Sequence, residues 1–320
     1  MSIRSIHIDE LAIFIKKNNI DNVFLQPEFV SQNASINIHG IFAKDGQQKG
    51  VFLTETMPRL KILKAIATPK NMANCQLTFI SSAQNPAKRN SEFKNVVEAI
   101  TLYLDKLPGD VISISFPENW IDFQPFIWKK YKVTTQLTYQ LELSESEEIL
   151  FDNFSTERRK NVNKAEKEEL IVKHIEPNKE LLEMILGTFK RQRITADERA
   201  IDSVLFKTPS SSIISTMTFD INNNPLACNV CLVDSHKATY LFGGYSSENK
   251  HEGAGALAMW NSIKKAKERS IEIFDFEGSM IPQIEKYVRG FGGKIVPFYR
   301  VNKSSYLVEV LLKTKEKTRF

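Results

Sequence analysis

The stretch ATYLFGGYSSENKHEGAGALAMWNSIKKAKERSIEIFDF, residues 238–276, decides the fold. It opens on an apolar run rich in Thr, Tyr and Phe that reads as a strand ending at Tyr245. SSENKHEGAG is polar and glycine-rich and reads as a loop. ALAMWNSIKKAKERS then sets Leu257, Trp260, Ile263 and Lys264 at a 3.6-residue period, with its basic residues late, where the helix dipole favours them. IEIFDF (271–276) is a strand again.

Outward from this stretch the pattern continues in both directions. Upstream, ISTMTFD (214–220) ends at the turn cluster INNNP, and PLACNVCLVD (225–234) ends at the SHK turn. With 238–245 they make a three-strand antiparallel meander. Downstream, IPQIEKYVRGF (281–291) repeats Ile284, Tyr287, Val288 and Phe291 at helical spacing, and Gly292 and Gly293 stop it. KIVPFYRV and SSYLVEVLL read as two closing strands. The fold class is therefore mixed α/β, a mostly antiparallel sheet flanked by helices.

The first half repeats part of that order. SINIHGIFAKDG and KGVFLTE read as a hairpin across a Lys-Asp-Gly turn. SEFKNVVEAITLYLDKL (91–107) is an amphipathic helix, VISISF (111–116) a strand, NWIDFQPFIWKKY a short helical stretch and KVTTQLTYQLEL (132–143) a long strand. Two tandem α/β domains, 1–143 and 144–320, are the economical division. The length of 320 residues suits it, at roughly 150 residues per domain.

An apolar fraction of 42% and 21 Phe supply real cores and exclude disorder and small disulfide scaffolds. Charge is nearly balanced, 43 basic against 38 acidic residues with the signs interspersed. That argues against a dedicated duplex-DNA binder and leaves room for a local anionic site. No window resembles a membrane span, and Asp9 and Glu10 interrupt any signal-peptide core. Three cysteines suit a reducing compartment, so a cytoplasmic protein is expected. Cys228 and Cys231 form a C-x-x-C inside a strand, where their side chains point to opposite faces, so no metal site is expected.

Three places attract chemistry. Lys250, Gly253 and Gly255 fit a basic-x-x-G-x-G/A spacing at a helix N-terminus, where unpaired N–H groups and the dipole suit a phosphate; the segment runs on through Ala254 and Ala256. Turn flexibility and close packing are the competing use of such glycines. Second, Arg158, Arg159 and Lys164 cluster in STERRKNVNKAEKEE, and Arg191 and Arg193 in TFKRQRIT could supplement them on an anionic substrate. The competing reading is a solvated helix paired with its own glutamates. Third, Asp275 and Glu277 stand two apart at a strand end and are candidates for a general base or for gripping an amine. His251 is a second base candidate, and Tyr245 a hydrogen-bond donor to a carbonyl or leaving group. No G-x-S-x-G, Walker A or H-E-x-x-H motif is present, which fits direct attack of an amine on a bound acyl donor.

Meander, basic-x-x-G-x-G loop, helix, strand, helix, then FGG and a strand resembles the Gcn5-related N-acetyltransferase (GNAT) fold, in which the loop amides hold the pyrophosphate of coenzyme A. Two such domains resemble the FemAB group of peptidyl and aminoacyl transferases. The residues carrying this second resemblance are STERRKNVNKAEKEELIV (155–172), TFKRQRIT (188–195), FDFEGS…FGGKIVPFYRV (274–301) and FQPFIWKKYKVTTQLTYQLEL (123–143). The first domain departs from the pattern: ISSAQNPAKRNSEF (80–93) has Lys88 and Arg89 but no glycine, and reads as a degenerate copy. Lys250 stands where the family's loop has Arg or Gln. The resemblance implies an acyltransferase using acetyl-CoA or another acyl-CoA, with an amine of a sugar nucleotide, peptidoglycan precursor or other lipid-linked or cell-envelope intermediate as acceptor. Aminoacyl-tRNA as donor, or an inactive binding module of the same fold, are the alternatives.

Overall fold

The computed structural model describes residues 1–192, 195–278 and 280–315. In chain order it runs β1 (Ser2–Ser5), α1 (Ile8–Lys17), α2 (Pro27–Val30), β2 (Ile36–Phe42), β3 (Gln48–Arg59), β4 (Leu63–Ala67), β5 (Thr78–Phe79), α3 (Pro86–Leu104), β6 (Val111–Ser115) and α4 (Gln124–Trp128). It continues with β7 (Lys132–Glu142), α5 (Glu147–Asp152), α6 (Thr156–Lys167), β8 (Ile171–His174), α7 (Lys179–Arg191), α8 (Glu198–Lys207), β9 (Ile213–Phe219), β10 (Pro225–Val233) and β11 (Lys237–Tyr245). Then come α9 (Ala254–Glu268), β12 (Ile273–Asp275), α10 (Pro282–Arg289), β13 (Lys294–Ser304) and α11 (Tyr306–Lys315).

These elements gather into two units, Met1–Ile20 with Phe24–Gln136 and Pro297–Phe320, and Asp21–Val23 with Leu137–Val296. A linear cut after residue 143 gives the last strand and helix to the second half; by contacts, residues 297 onward group with the first.

In the first unit the strands run β1-β2-β3-β4-β6-β13, with β5 on β3. All neighbours are antiparallel except β4 and β6. The Lys-Asp-Gly hairpin forms as expected, with Gly46 at φ 82° supplying the left-handed residue of the turn. Helix α3 starts earlier than its periodic pattern, because the Asn85 side chain accepts from the Lys88 amide and Pro86 follows at the first helical position. Its Val96, Val97, Ile100 and Leu104 pack with Phe52, Ile112, Phe116 and Phe126.

SSYLVEVLL, expected as a strand, is the start of α11. Ser305 initiates the helix, its hydroxyl accepting from the Val308 amide. Leu312 then joins Ala65 and Val111 in a small cluster that Val308 flanks, one helical turn away. The i, i+4 pair was hidden in a short run of Leu and Val that reads equally well as a strand.

In the second unit the order is β7-β12-β11-β10-β9-β8. The expected meander is β9, β10 and β11, and β8 adds an antiparallel edge. Only β11 and β12 run parallel, and only over Lys237–Thr239 against Ile273–Asp275. Helix α9 lies against this sheet, and its Leu257, Met259, Trp260 and Ile263 bury against Phe154, Phe274, Phe276 and Phe291. Cys228 and Cys231 are buried free thiols. Cys231 lies in the α9-side core, whereas Cys228 touches Gly244 beneath α7, so the opposite-face expectation holds. Desolvation pushes the Cys228 thiol up to about 12. No group of three metal-ligating side chains exists among the described residues.

Candidate active site

The site lies in the second unit, where β11 and β12 part. Their ladder ends at Thr239 and Asp275, and a bulge in the β10–β11 register between Val230 and Cys231 bends β11 just beyond. The far half of β11 therefore has no parallel neighbour, and the chain after β12 turns away. Glu277 and Gly278 make that turn at φ 57° and 61°. Gly278 is required twice over, since a Cβ there would stand 2.0 Å from the Leu137 carbonyl oxygen.

The turn separates the two candidate carboxylates. Asp275 is buried and saturated with donors: the Thr138 hydroxyl at 2.6 Å, the Gln140 amide at 2.8 Å, the Glu277 backbone N–H at 2.8 Å and Lys237 Nζ at 3.5 Å. It is a brace between β7, β11 and the turn. Among the described residues Glu277 has no such partners, and burial, with the charge of Asp275 added, pushes its carboxyl up to about 8.

A group of three tyrosines begins beside this point with Tyr240. On β11, Tyr240 lays its ring across Gly243, whose missing Cβ would come 2.1 Å from the tyrosine oxygen, and the charge of Glu277 bears on that hydroxyl. Tyr245 is 41% exposed, yet its hydroxyl is inserted at the start of α9, where a Cβ on Gly255 would come within 2.1 Å of it. It shares a hydrogen bond with Tyr287 of α10. Desolvation raises all three hydroxyls, so they remain protonated donors at neutral pH. Tyr287 looked like one more core residue of an amphipathic helix, and only its packing partner marks it out.

The glycine-rich loop is closed on itself. Ser246 Oγ accepts from the Glu248 and Asn249 amides and tightens its start. The Gly253 N–H donates to His251 Nδ1 at 3.0 Å, and the Ala254 N–H to the His251 carbonyl. Because Nδ1 accepts, the His251 proton sits on Nε2, which reaches Glu168 at 2.9 Å. His251 thus holds the amide of Gly253, the N-cap residue of α9, and pairs with Glu168. Gly253, Ala254, Gly255 and Ala256 are buried. A Cβ on Gly253 would lie 2.2 Å from the Asn161 carbonyl oxygen of α6, so this glycine serves helix–helix contact. Both loop glycines make close contacts here that a Cβ would block.

The arginine cluster disperses. Arg158 is buried between Glu157, at 2.5 Å, and the Tyr287 ring, 4.9 Å from its guanidinium carbon. Arg159 donates to the Asp152 and Phe154 carbonyls and closes the α5–α6 turn. Lys164 pairs with Glu252 at 3.0 Å on the surface, which raises its pKa. Arg193 lies outside the described residues.

Arg191 instead joins the loop. A cleft of about 630 Å³ lies between the end of α7 and residues 245–252, lined by Thr188, Arg191, Tyr245, Lys250 and His251 among others. Arg191 donates to the Tyr245 carbonyl at 2.5 Å and to Thr188 Oγ1 at 2.8 Å, while Thr188 accepts from the Tyr245 amide at 3.1 Å. The last turn of α7 is thereby stitched to the end of β11. Four of the expected residues, Arg191, Tyr245, Lys250 and His251, meet here; Asp275, Arg158 and Arg159 do not.

Comparison with known proteins agrees with this architecture. Residues 157–285 match the acetyltransferase (GNAT) domain model. No curated protein matches the chain in sequence. Among solved structures, FemX superposes with a TM-score of 0.62 at 13% identity, over 99% of this chain and 100% of that one. The C-terminal domain of a putative lysylphosphatidylglycerol synthetase from Agrobacterium fabrum gives 0.58 at 12%, over 96% of each. A tandem GNAT protein from the clavulanic acid biosynthesis pathway gives 0.53 at 9%, over 94% and 98%. At such identities the likeness speaks to fold, and with the domain match it supports N-acyl transfer in general terms. The chain thus has a tandem GNAT architecture, carries an acetyltransferase (GNAT) domain at 157–285, and has the fold of the FemAB-like transferases.

Proposed function

We propose that the second unit moves an acyl or aminoacyl group from an activated ester or thioester onto an amine. One observation carries the reading: Glu277 is a carboxyl desolvated to a pKa of about 8 where β11 and β12 part, within electrostatic reach of the Tyr240 hydroxyl, which stays protonated. An amine arrives as its ammonium form, with a pKa near ~10. A carboxylate of raised basicity takes that proton more readily than an ordinary one. The nitrogen lone pair then forms the C–N bond to the carbonyl carbon, the carbon–oxygen or carbon–sulfur bond to the leaving group breaks, and the second proton lost from the nitrogen balances the one gained by the leaving atom. Tyr245, exposed on one flank and anchored by Tyr287, is placed to give the leaving atom a proton or to hydrogen-bond the developing oxyanion. Positioning supplies the rest, without a covalent enzyme intermediate.

Arg191 and Lys250 line the adjoining cleft and suit an anionic acceptor. We read that acceptor as a cell-envelope precursor bearing a phosphate or diphosphate, used in the cytoplasm. For the donor, one specific feature favours an aminoacyl-tRNA ester over acyl-CoA: the Gly253 and Ala254 amides are already engaged with His251. A pyrophosphate would have to displace His251 before the loop could hold it.

The test is the thermal midpoint with millimolar acetyl-CoA and, separately, transfer from labelled aminoacyl-tRNA at varied pH. We expect a rate that climbs through about pH 8 in the native protein and loses that limb in Glu277→Gln. A shift of several degrees with acetyl-CoA, as saturation at 100 times Kd gives through about 2.7 kcal/mol, would reverse the choice of donor. No transfer from either donor, with tight binding of a sugar nucleotide, would replace the enzyme with a binding module.

A further inference from the structure

A second surface, on the first unit, has a chemistry that acyl transfer does not use. The segment 121–130 runs through the five-residue α4 and out to Lys130, which takes the left-handed conformation at φ 61°. Phe123, Pro125 and Phe126 point inward, and Phe123 and Phe126 join the core. Ile121, Ile127 and Trp128 are 76%, 57% and 62% exposed. Lys94 of α3 ties them together: its ammonium sits 5.1 Å from the Trp128 ring centroid and 3.0 Å from Asp122, the neighbour of Ile121. Lys129 and Lys130 follow directly and are both exposed. Three large apolar side chains thus project from a short segment beside three cations and two carboxylates, Asp122 held by Lys94 and Asp105, which the charge of Lys129 reaches, held by Lys303.

We infer that this patch docks the protein on an anionic lipid surface. Exposed apolar groups this large need a reason when they are contiguous. The residue types select the occupant. Tryptophan seeks the headgroup level of a bilayer, isoleucine enters the acyl boundary, and lysine reaches back to lipid phosphates along its apolar stem. A protein partner fits poorly, because the cores of protein interfaces are depleted of lysine. No helix among the described residues is long and apolar enough to cross a membrane, so this is attachment at the surface. The patch stands on its own residues and does not depend on the transfer reaction proposed above.

The tryptophans make the test direct. Of the three in the chain, Trp120 and Trp260 are buried at 4% and 6% exposure, so Trp128 dominates any solvent-dependent change in emission. The full chain is titrated with vesicles of equal phosphatidylglycerol and phosphatidylcholine, and with phosphatidylcholine alone, following emission and co-sedimentation. Expected are a blue shift and pelleting with the anionic vesicles only, weakened by salt. Trp128→Ser should abolish both, and each of Lys129→Glu and Lys130→Glu should weaken binding by at least roughly fivefold, the worth of one basic residue near an anionic surface. These side chains are exposed, so circular dichroism should show the variants folded. Equal binding to neutral vesicles, no binding to either, or binding unchanged in Trp128→Ser overturns the inference. So does concentration-dependent self-association that Trp128→Ser removes while vesicle binding stays absent, since the patch then covers a second copy.

Discussion

Replacing Gly253 with alanine is the sharpest probe of how α9 begins. The new Cβ would stand 2.2 Å from the Asn161 carbonyl oxygen and 2.9 Å from Ala165 Cβ. The first obstacle is helix backbone, which cannot swing aside like a side chain, so α6 and α9 must separate by about 1 Å to restore ordinary contact. A gap of that size forfeits roughly a quarter to a half of the dispersion at every atom it opens. Overpacking of this kind costs about 1–3 kcal/mol, and Gly253 is the N-cap of α9, where glycine is preferred to alanine, so helix propensity returns nothing. A net loss near ~2 kcal/mol corresponds to about 4–8 °C in a unit of this size. Gly187→Ala is the control. It sits inside α7 and its Cβ would meet only the Arg191 Nη1 atom at 3.4 Å, so helix propensity should stabilise it by up to about 1 kcal/mol. Urea titration followed by far-ultraviolet circular dichroism compares the two with the parent. A Gly253→Ala midpoint equal to the parent's, or a Gly187→Ala variant that is the less stable of the two, would refute the reasoning. The same numbers mean that a bulky residue at 253 cannot test donor binding with the fold left intact.

His251→Ala removes the acceptor from the Gly253 amide and the link to Glu168, and should cost about 1 kcal/mol, read as a lower thermal midpoint. Asp275→Asn turns an amide N–H toward groups that are themselves donors, and should cost about 1–3 kcal/mol in urea titration. Glu277 acts on stability in the opposite sense to an ion-paired carboxylate. Its folded pKa of about 8 lies above the unfolded value near ~4.3, so between those limits the folded state keeps a proton that the unfolded state releases. Stability therefore falls as pH rises across that window, and Glu277→Gln should flatten the fall and exceed the parent above pH 8 in thermal melts.

What was legible in the sequence followed from periodicity. The meander of β9 to β11 alternates or runs apolar between turn clusters, and α9 keeps a 3.6-residue face, so both could be read one residue at a time. Tyr245 and Lys250 were singled out from their place around the glycine-rich loop and Arg191 as a basic residue of TFKRQRIT, and the three line one cleft. The contacts that His251 and Gly253 make with Glu168 and Asn161, some 90 residues earlier, could not be read from the loop itself. Asp275 and Glu277 looked equivalent. Their difference rests on Thr138 and Gln140 of β7 and on two left-handed residues, none of which a local pattern records. Helix α8 carries the same kind of signal, with Ile201, Val204 and Leu205 at helical spacing and buried.

The pairing of β6 with β13 has a consequence for biosynthesis. Residues 111–115 of β6 lie against 300–304, so a partner for that edge emerges from the ribosome only after the whole of 137–296 has been made. At ~5–20 residues per second the nascent first unit waits about 8–32 s with an open, apolar strand edge. The second unit, whose residues are nearly contiguous, can mature in that interval. The first unit is begun first and finished last, and chaperone demand should fall on that waiting edge.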